Sequence, residues 1–230
     1  TQTAALAFGG FTPPANTAAT EQYNSGTWSA APSNLIIARR GLAGAGTQTA
    51  ALAFGGFIAA TTNATEQYNS GTWTPASIMN TQRLALAGAG TQTAALAFGG
   101  GTPTATAATE EYNSGVWSPG GPLGTPRSSV AGAGTQTAAL AFGGGTPVVT
   151  TATEEYNSGT WSTAPANMII ARQALAGAGT QTAALAFGGN TVPANTNVTE
   201  EWNATPIGPT TTGGAWTSGG PLIIGRSYSA

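Results

Sequence analysis

The side chains able to do acid–base or ligand chemistry are few, and they are placed by rule. All eight acids are glutamates, at Glu21, Glu66, Glu110, Glu154 and Glu200, with second copies at Glu111, Glu155 and Glu201. All six basic residues are arginines: Arg39, Arg83, Arg127, Arg172 and Arg226 hold one slot of a repeating pattern, and Arg40 stands outside it. Paired carboxylates suggest glycoside hydrolysis first. Neighbours on a strand point to opposite faces, however, so the two members of a doublet cannot work on one bond. Two repeats also carry Gln22 or Gln67 in the second position. The arginines suggest something else. Five guanidiniums around one opening would hold carboxylate, sulfate or phosphate bidentately, which makes Arg39, Arg83, Arg127, Arg172 and Arg226 the candidate ligand-binding residues. The competing reading pairs each Arg with a Glu or with loop carbonyls as a brace, and a charge that never varies between repeats is most simply a brace.

The missing residue types narrow the chemistry further. The chain has no Cys, His, Lys or Asp. That removes disulfides, thiolate and imidazole metal sites, Ser-His-Asp and Cys-His triads, and Schiff-base chemistry. No metal or cofactor and no enzymatic activity is expected. Six basic residues in 230 make no phosphate-neutralising stripe, so no nucleic-acid partner is expected. No apolar run reaches the length of a membrane-spanning helix. With 40% hydrophobic residues and a net charge of −2, the chain can bury a core.

The elements that must position these charges follow from a repeat. The segment Thr-Gln-Thr-Ala-Ala-Leu-Ala-Phe-Gly-Gly occurs five times without change, starting at Thr1, Thr47, Thr91, Thr135 and Thr180. It divides the chain into repeats 1–46, 47–90, 91–134, 135–179 and 180–230 of a single domain. A period in the mid-forties suits either four short strands or a helical pair. Frequent Gly and a Pro in every repeat are hostile to helices. Turn signals mark strands at Thr137–Phe142, Thr153–Asn157, Thr160–Thr163 and Leu175–Gly179. The strand Thr-Ala-Ala-Leu-Ala-Phe is apolar at nearly every position, as expected where both faces are covered. Leu140 and Phe142 would fill one interface while Ala139 and Ala141 let the other neighbour come close. Leu-Ala-Gly-Ala-Gly, smaller still, suits a crowded axis.

These residues resemble the kelch repeat. The hydrophobic strand ending in Gly-Gly is followed by Tyr23 and Trp28, Tyr68 and Trp73, Tyr112 and Trp117, and Tyr156 and Trp161, with an Arg before the next repeat. The fifth repeat departs from this, with Trp202 in place of Tyr and Trp216 beyond a Thr/Pro/Gly-rich insertion. The Ala/Gly/Thr-rich texture is also similar to kelch-like repeats of marine phage and other viral proteins. The resemblance implies an all-β, single closed five-bladed β-propeller with four antiparallel strands per blade. Arg226–Ala230, aligned with Arg39–Ala43, would supply the inner strand of the first blade. It also implies that the Tyr and Trp residues are inter-blade core, not sugar platforms. The copper oxidases of that family need His and a Cys-linked Tyr, and the chain lacks His and Cys.

Function is expected from what varies. The turns Gly-Thr-Gln and Asn-Ser-Gly are nearly constant and share one face. The second-to-third and fourth-to-first loops drift and share the other, where loops on a rigid scaffold commonly bind. Phe11, Phe57, Leu35, Ile36 and Ile78 lie in those loops and are unusually apolar for surface. The leading expectation is a non-catalytic recognition module for a glycan or protein, a monomeric domain of a larger chain, with a virion or extracellular setting. A purely structural repeat scaffold is the alternative, and contact through the insertion Ala204–Ala215 is a rival site.

Overall fold

The computed structural model describes residues 3–145, 147–204 and 214–223. It is an all-β five-bladed propeller, and no helix occurs among the described residues. The second blade is built from Ala43–Gly46, Ala50–Phe54, Thr65–Asn69 and Thr72–Ala76, paired antiparallel in that order from the axis outward. The third, fourth and fifth blades repeat this arrangement, beginning at Ala87, Ala131 and Ala176. The first blade contributes Ala4–Phe8, Thr20–Asn24 and Thr27–Ala30. Its expected inner strand, Arg226–Ala230, lies outside the described residues.

The sameness of the inner half of each blade has a packing cause. Leu140 and Phe142 pack with Leu175, Ala184, Ala186, Trp202 and Trp216 of the fifth blade. Ala139 and Ala141, on the opposite face of the same strand, pack with Leu96, Phe98 and Leu123 on the side of the third blade. One strand therefore serves two interfaces, and burying each large side chain contributes about 1.5–3 kcal/mol. The inner strands lie against one another around the axis. Their central glycine is required because a Cβ on Gly132 would stand 2.4 Å from Cζ of Phe98, and one on Gly177 would stand 2.6 Å from Cζ of Phe142. A change in either the Phe or the Gly would have to be matched by the other, at each of the four described boundaries.

The aromatic pairs complete each boundary. Tyr112 and Trp117 face each other across the third and outer strands of their blade, and the Trp117 ring packs 5.2 Å from Phe54 of the blade before. Trp117 Nε1 donates to Thr65 Oγ1 at 3.2 Å, and Trp73, Trp161 and Trp216 make the same bond to Thr20, Thr109 and Thr153. Trp202 pairs with Trp216 in the fifth blade, so the substituted Trp keeps the place of the usual Tyr despite the insertion between them. Trp28, in the outer strand of the first blade, is half exposed.

Candidate functional site

The variable face is built from loops that join one blade to the next. Each fourth-to-first linker pairs with the second-to-third loop of the blade it enters, through the bridges Arg40 with Phe57, Leu84 with Gly101, Ser128 with Gly145, and Gln173 with Asn190. The linkers also hydrogen-bond to one another around the axis. The backbone N–H groups of Ala85, Ser129 and Ala174 donate to the carbonyls of Gly41, Ala85 and Ser129 at 2.8, 2.8 and 2.9 Å. Inside this ring lies an apolar neck of about 40 Å³, lined by Leu42, Leu86, Val130 and Leu175 and the residues before them. That is roughly the space of one water molecule in the liquid. The neck itself therefore has no room for a ligand much larger than one water.

The four described arginines of the repeated slot do not line this neck. Arg39, Arg83, Arg127 and Arg172 are completely buried, and each reaches into the next blade to a buried glutamate. Arg127 Nη2 donates to Glu154 Oε1 at 2.7 Å, and its Nη1 donates to the carbonyls of Gly143 and Ala152 at 2.9 and 2.8 Å. The other oxygen of Glu154 accepts the backbone N–H of Gly124 at 2.6 Å. Glu66, Glu110 and Glu200 likewise accept linker N–H groups from Ile36, Asn80 and Ile169. Burial lowers the pKa of Arg83, Arg127 and Arg172, and for each the partner glutamate's charge raises it in opposition. These four guanidiniums are committed to the join between blades, which is the bracing role. Arg226, the fifth member of the slot, lies outside the described residues.

The second member of each carboxylate doublet has a separate task. Glu111 accepts the Tyr156 hydroxyl of the next blade, while Gln22 and Gln67 donate to the hydroxyls of Tyr68 and Tyr112 at 2.8 and 2.7 Å. Glu110 thus serves the Arg83 brace and Glu111 serves a tyrosine, on opposite sides of one strand. Burial pushes the Glu155 carboxyl up, in the blade whose neighbour carries Trp202 in place of a tyrosine. Among the described residues there is no group of three or more acids placed to hold a metal ion.

The opposite face has its own reason for constancy. Gln136 of the Thr-Gln-Thr turn donates to the Tyr112 carbonyl at 2.6 Å and to Asn113 Oδ1 at 3.1 Å in the preceding blade, and Gln48, Gln92 and Gln181 do the same at their boundaries. The Asn-Ser-Gly turns place Ser70 at φ 42° and Gly71 at φ 112°, and two successive positive φ values are what a tight hairpin turn needs. The constant face is structural in every repeat where it is described. The insertion expected to rival the loops, Ala204–Ala215, lies largely outside the described residues.

The apolar loop residues divide. Leu35 is buried with Leu42, Ala51 and Trp73, so it belongs to the core and not to an interaction surface. Ile36 and Ile78 are exposed, Ile78 at 61%. Phe11 is 41% exposed, and Phe57 is partly buried beside it in the ring of loops. Arg40 lies over both rings, with Cζ 4.9 Å from the Phe11 centroid and 4.6 Å from the Phe57 centroid. Sequence spacing marked Arg40 as the odd arginine but not its partners, because Phe11 and Phe57 come from two different repeats. No family model matches this chain, and no curated protein does either.

Proposed function

We propose that this chain is a non-catalytic, kelch-type recognition module that binds a glycan or a protein on the face formed by the second-to-third and fourth-to-first loops. One observation carries the reading. Ten large apolar side chains are exposed among the described residues, and eight of them sit in those two loop sets, Trp28 and Val116 being the exceptions. Scattered apolar surface is ordinary, but apolar surface gathered on one face marks an interaction site. Glu66, Glu110, Glu154 and Glu200 and the four described slot arginines are occupied in bracing, which leaves the loops as the part of the chain free to specialise.

The test is a glycan-array and cell-binding screen of the whole chain, repeated on a variant carrying the loops of the third blade in every blade. Binding by the parent and loss in the graft is the expected result. Binding that survives the graft unchanged places the contact elsewhere. Silence of the parent on glycans and on cells favours a structural scaffold.

A further inference from the structure

We propose that Arg40, Phe11, Phe57 and Asn16 form a binding site for a carboxylated sugar, at the boundary of the first and second blades. The inference rests on the recognition reading and specifies a subsite within it. Arg40 is the one described basic residue that no carboxylate holds. Its backbone is locked to Phe57, with N–H to carbonyl distances of 3.1 and 2.8 Å in the two directions. Asn16 faces it from the hairpin that pairs Phe11 with Asn16, accepting from Arg40 Nη1 at 3.2 Å and donating to the carbonyls of Phe57 and Ile58 at 2.9 Å each. A guanidinium over two phenyl rings, with one nitrogen tied to an amide, has a set orientation. Its other donors have no partner among the described residues. They are not among the buried unpartnered atoms either, in contrast to Nε of Arg39, Arg83, Arg127 and Arg172.

A guanidinium presented this way suits a planar carboxylate, which it can take bidentately. The surroundings select what carries that carboxylate. The exposed Thr12 beside Phe11 offers a hydroxyl, Phe11 offers an exposed ring, and the chain as a whole carries a net charge of −2. A polyacidic partner would be repelled by that charge and would find one cation. A single carboxylate on an otherwise neutral, hydroxylated frame fits, which is the chemistry of a uronic or nonulosonic acid. The site occurs once in the ring. The positions matching Arg40 in the following repeats are Leu84, Ser128 and Gln173, and those matching Phe57 are Gly101, Gly145 and Asn190.

The experiment is an NMR and calorimetric titration of the whole chain with sodium glucuronate and N-acetylneuraminate. Glucose and the glucuronate methyl ester serve as neutral controls, and N-acetylglycinate as a single carboxylate without a sugar frame. The sugar acids are expected to bind about tenfold or more tightly than the neutral sugars, with shifts at Phe11, Asn16, Arg40 and Phe57. Arg40→Gln should reduce the acids to the affinity of the ester with only a small fall in melting temperature, and Phe11→Ala should weaken acid and ester alike. Equal affinity for acid and ester, an unchanged affinity in Arg40→Gln, or no shift with either acid at millimolar concentration would overturn the site. So would N-acetylglycinate binding as tightly as the sugar acids, since that points to a peptide carboxylate. Glycan binding that persists in Arg40→Gln removes this site and leaves the recognition reading standing, whereas silence in both the array and the titration removes both.

Discussion

The hydroxyl of Tyr156 donates to the carboxylate of Glu111 across the boundary between the third and fourth blades. At the two preceding boundaries the same place is filled by an amide donating to a tyrosine hydroxyl. Hydrogen-bond polarity is thus reversed at one boundary while the contact is kept, which explains how Gln and Glu alternate in this position without changing the fold. Burial raises the Tyr156 pKa, and the hydrogen bond and charge of Glu111 raise it further. Burial raises Tyr112 as well, against a lowering by its bond from Gln67.

A prediction for alkaline pH follows directly. A tyrosine whose folded pKa lies above its unfolded value of about 10 contributes stability that is complete below that pH and is lost as pH rises beyond it. Tyr112 and Tyr156 should therefore resist ionisation until the protein unfolds, and the melting temperature should fall above about pH 10. Glu111→Gln should leave stability near neutrality almost unchanged, because Gln67 shows that an amide serves there, and should bring Tyr156 ionisation to lower pH. Tyrosinate absorbance during a pH titration measures both. An unaltered titration in the variant would refute the assignment to Glu111.

Much of this architecture was legible in the chain, and the limits have physical causes. The strands at Thr153–Asn157 and Thr160–Thr163 were readable because Asn-Ser-Gly can only be a tight turn there, and the structure has both. The division of Leu140 and Phe142 from Ala139 and Ala141 was readable from strand alternation. Leu35 was not, because a linker has no period to say which residue turns inward. The Gln136 clamp was also hidden: the sequence marks a turn, but the clamp depends on carbonyls of the preceding blade. The Arg40 cluster escaped for the same reason, since its parts lie in loops of two blades.

The buried ion pairs should behave as braces under mutation. Arg127→Ala leaves Glu154 charged, buried and short of a partner, a loss of about 3–5 kcal/mol in comparable pairs. In a domain of this size that corresponds to a fall of roughly 6–20 °C in melting temperature. Because Nε of Arg127 is buried without a partner, the pair itself is only partly compensated. Replacing both members, Arg127→Met with Glu154→Leu, should therefore cost less than either single change. Thermal melts of the three variants decide it, and a single variant melting within about 2 °C of the parent would refute the brace.

The inner-strand glycine makes a sharper test of packing. Gly132→Ala puts a Cβ 2.4 Å from Cζ of the buried Phe98, while Gly220→Ala meets nothing within 4 Å. Overpacking of this kind costs about 1–3 kcal/mol, so the first variant should melt several degrees lower and the second should be neutral. Phe98→Leu added to Gly132→Ala should recover part of the loss, because it removes the atom that clashes. If the double variant is no better than the sum of its parts, the Gly–Phe fit is not what holds this position constant.

The first blade bears on how the ring is completed. Ala4–Phe8 pairs with Thr20–Asn24, and Ala5, Leu6 and Phe8 border a groove of about 660 Å³ shared with Gly44–Thr49. Leu6 and Phe8 are only partly buried, whereas Leu52, Phe54, Leu96 and Phe98 are wholly so. Arg226–Ala230 align with Arg39–Ala43, which lead into the inner strand of the second blade, so they are the residues expected to meet Ala4–Phe8. Deleting Arg226–Ala230 should lower the melting temperature by more than about 2 °C, the shift that 1 kcal/mol produces in a domain of this size. It should also speed hydrogen exchange of the backbone amides of Ala4–Phe8 while leaving those of Ala94–Phe98 protected, since that strand is paired on both sides by its own blade. Exchange that is unchanged in Ala4–Phe8 after the deletion would show that the C-terminal residues do not complete the first blade.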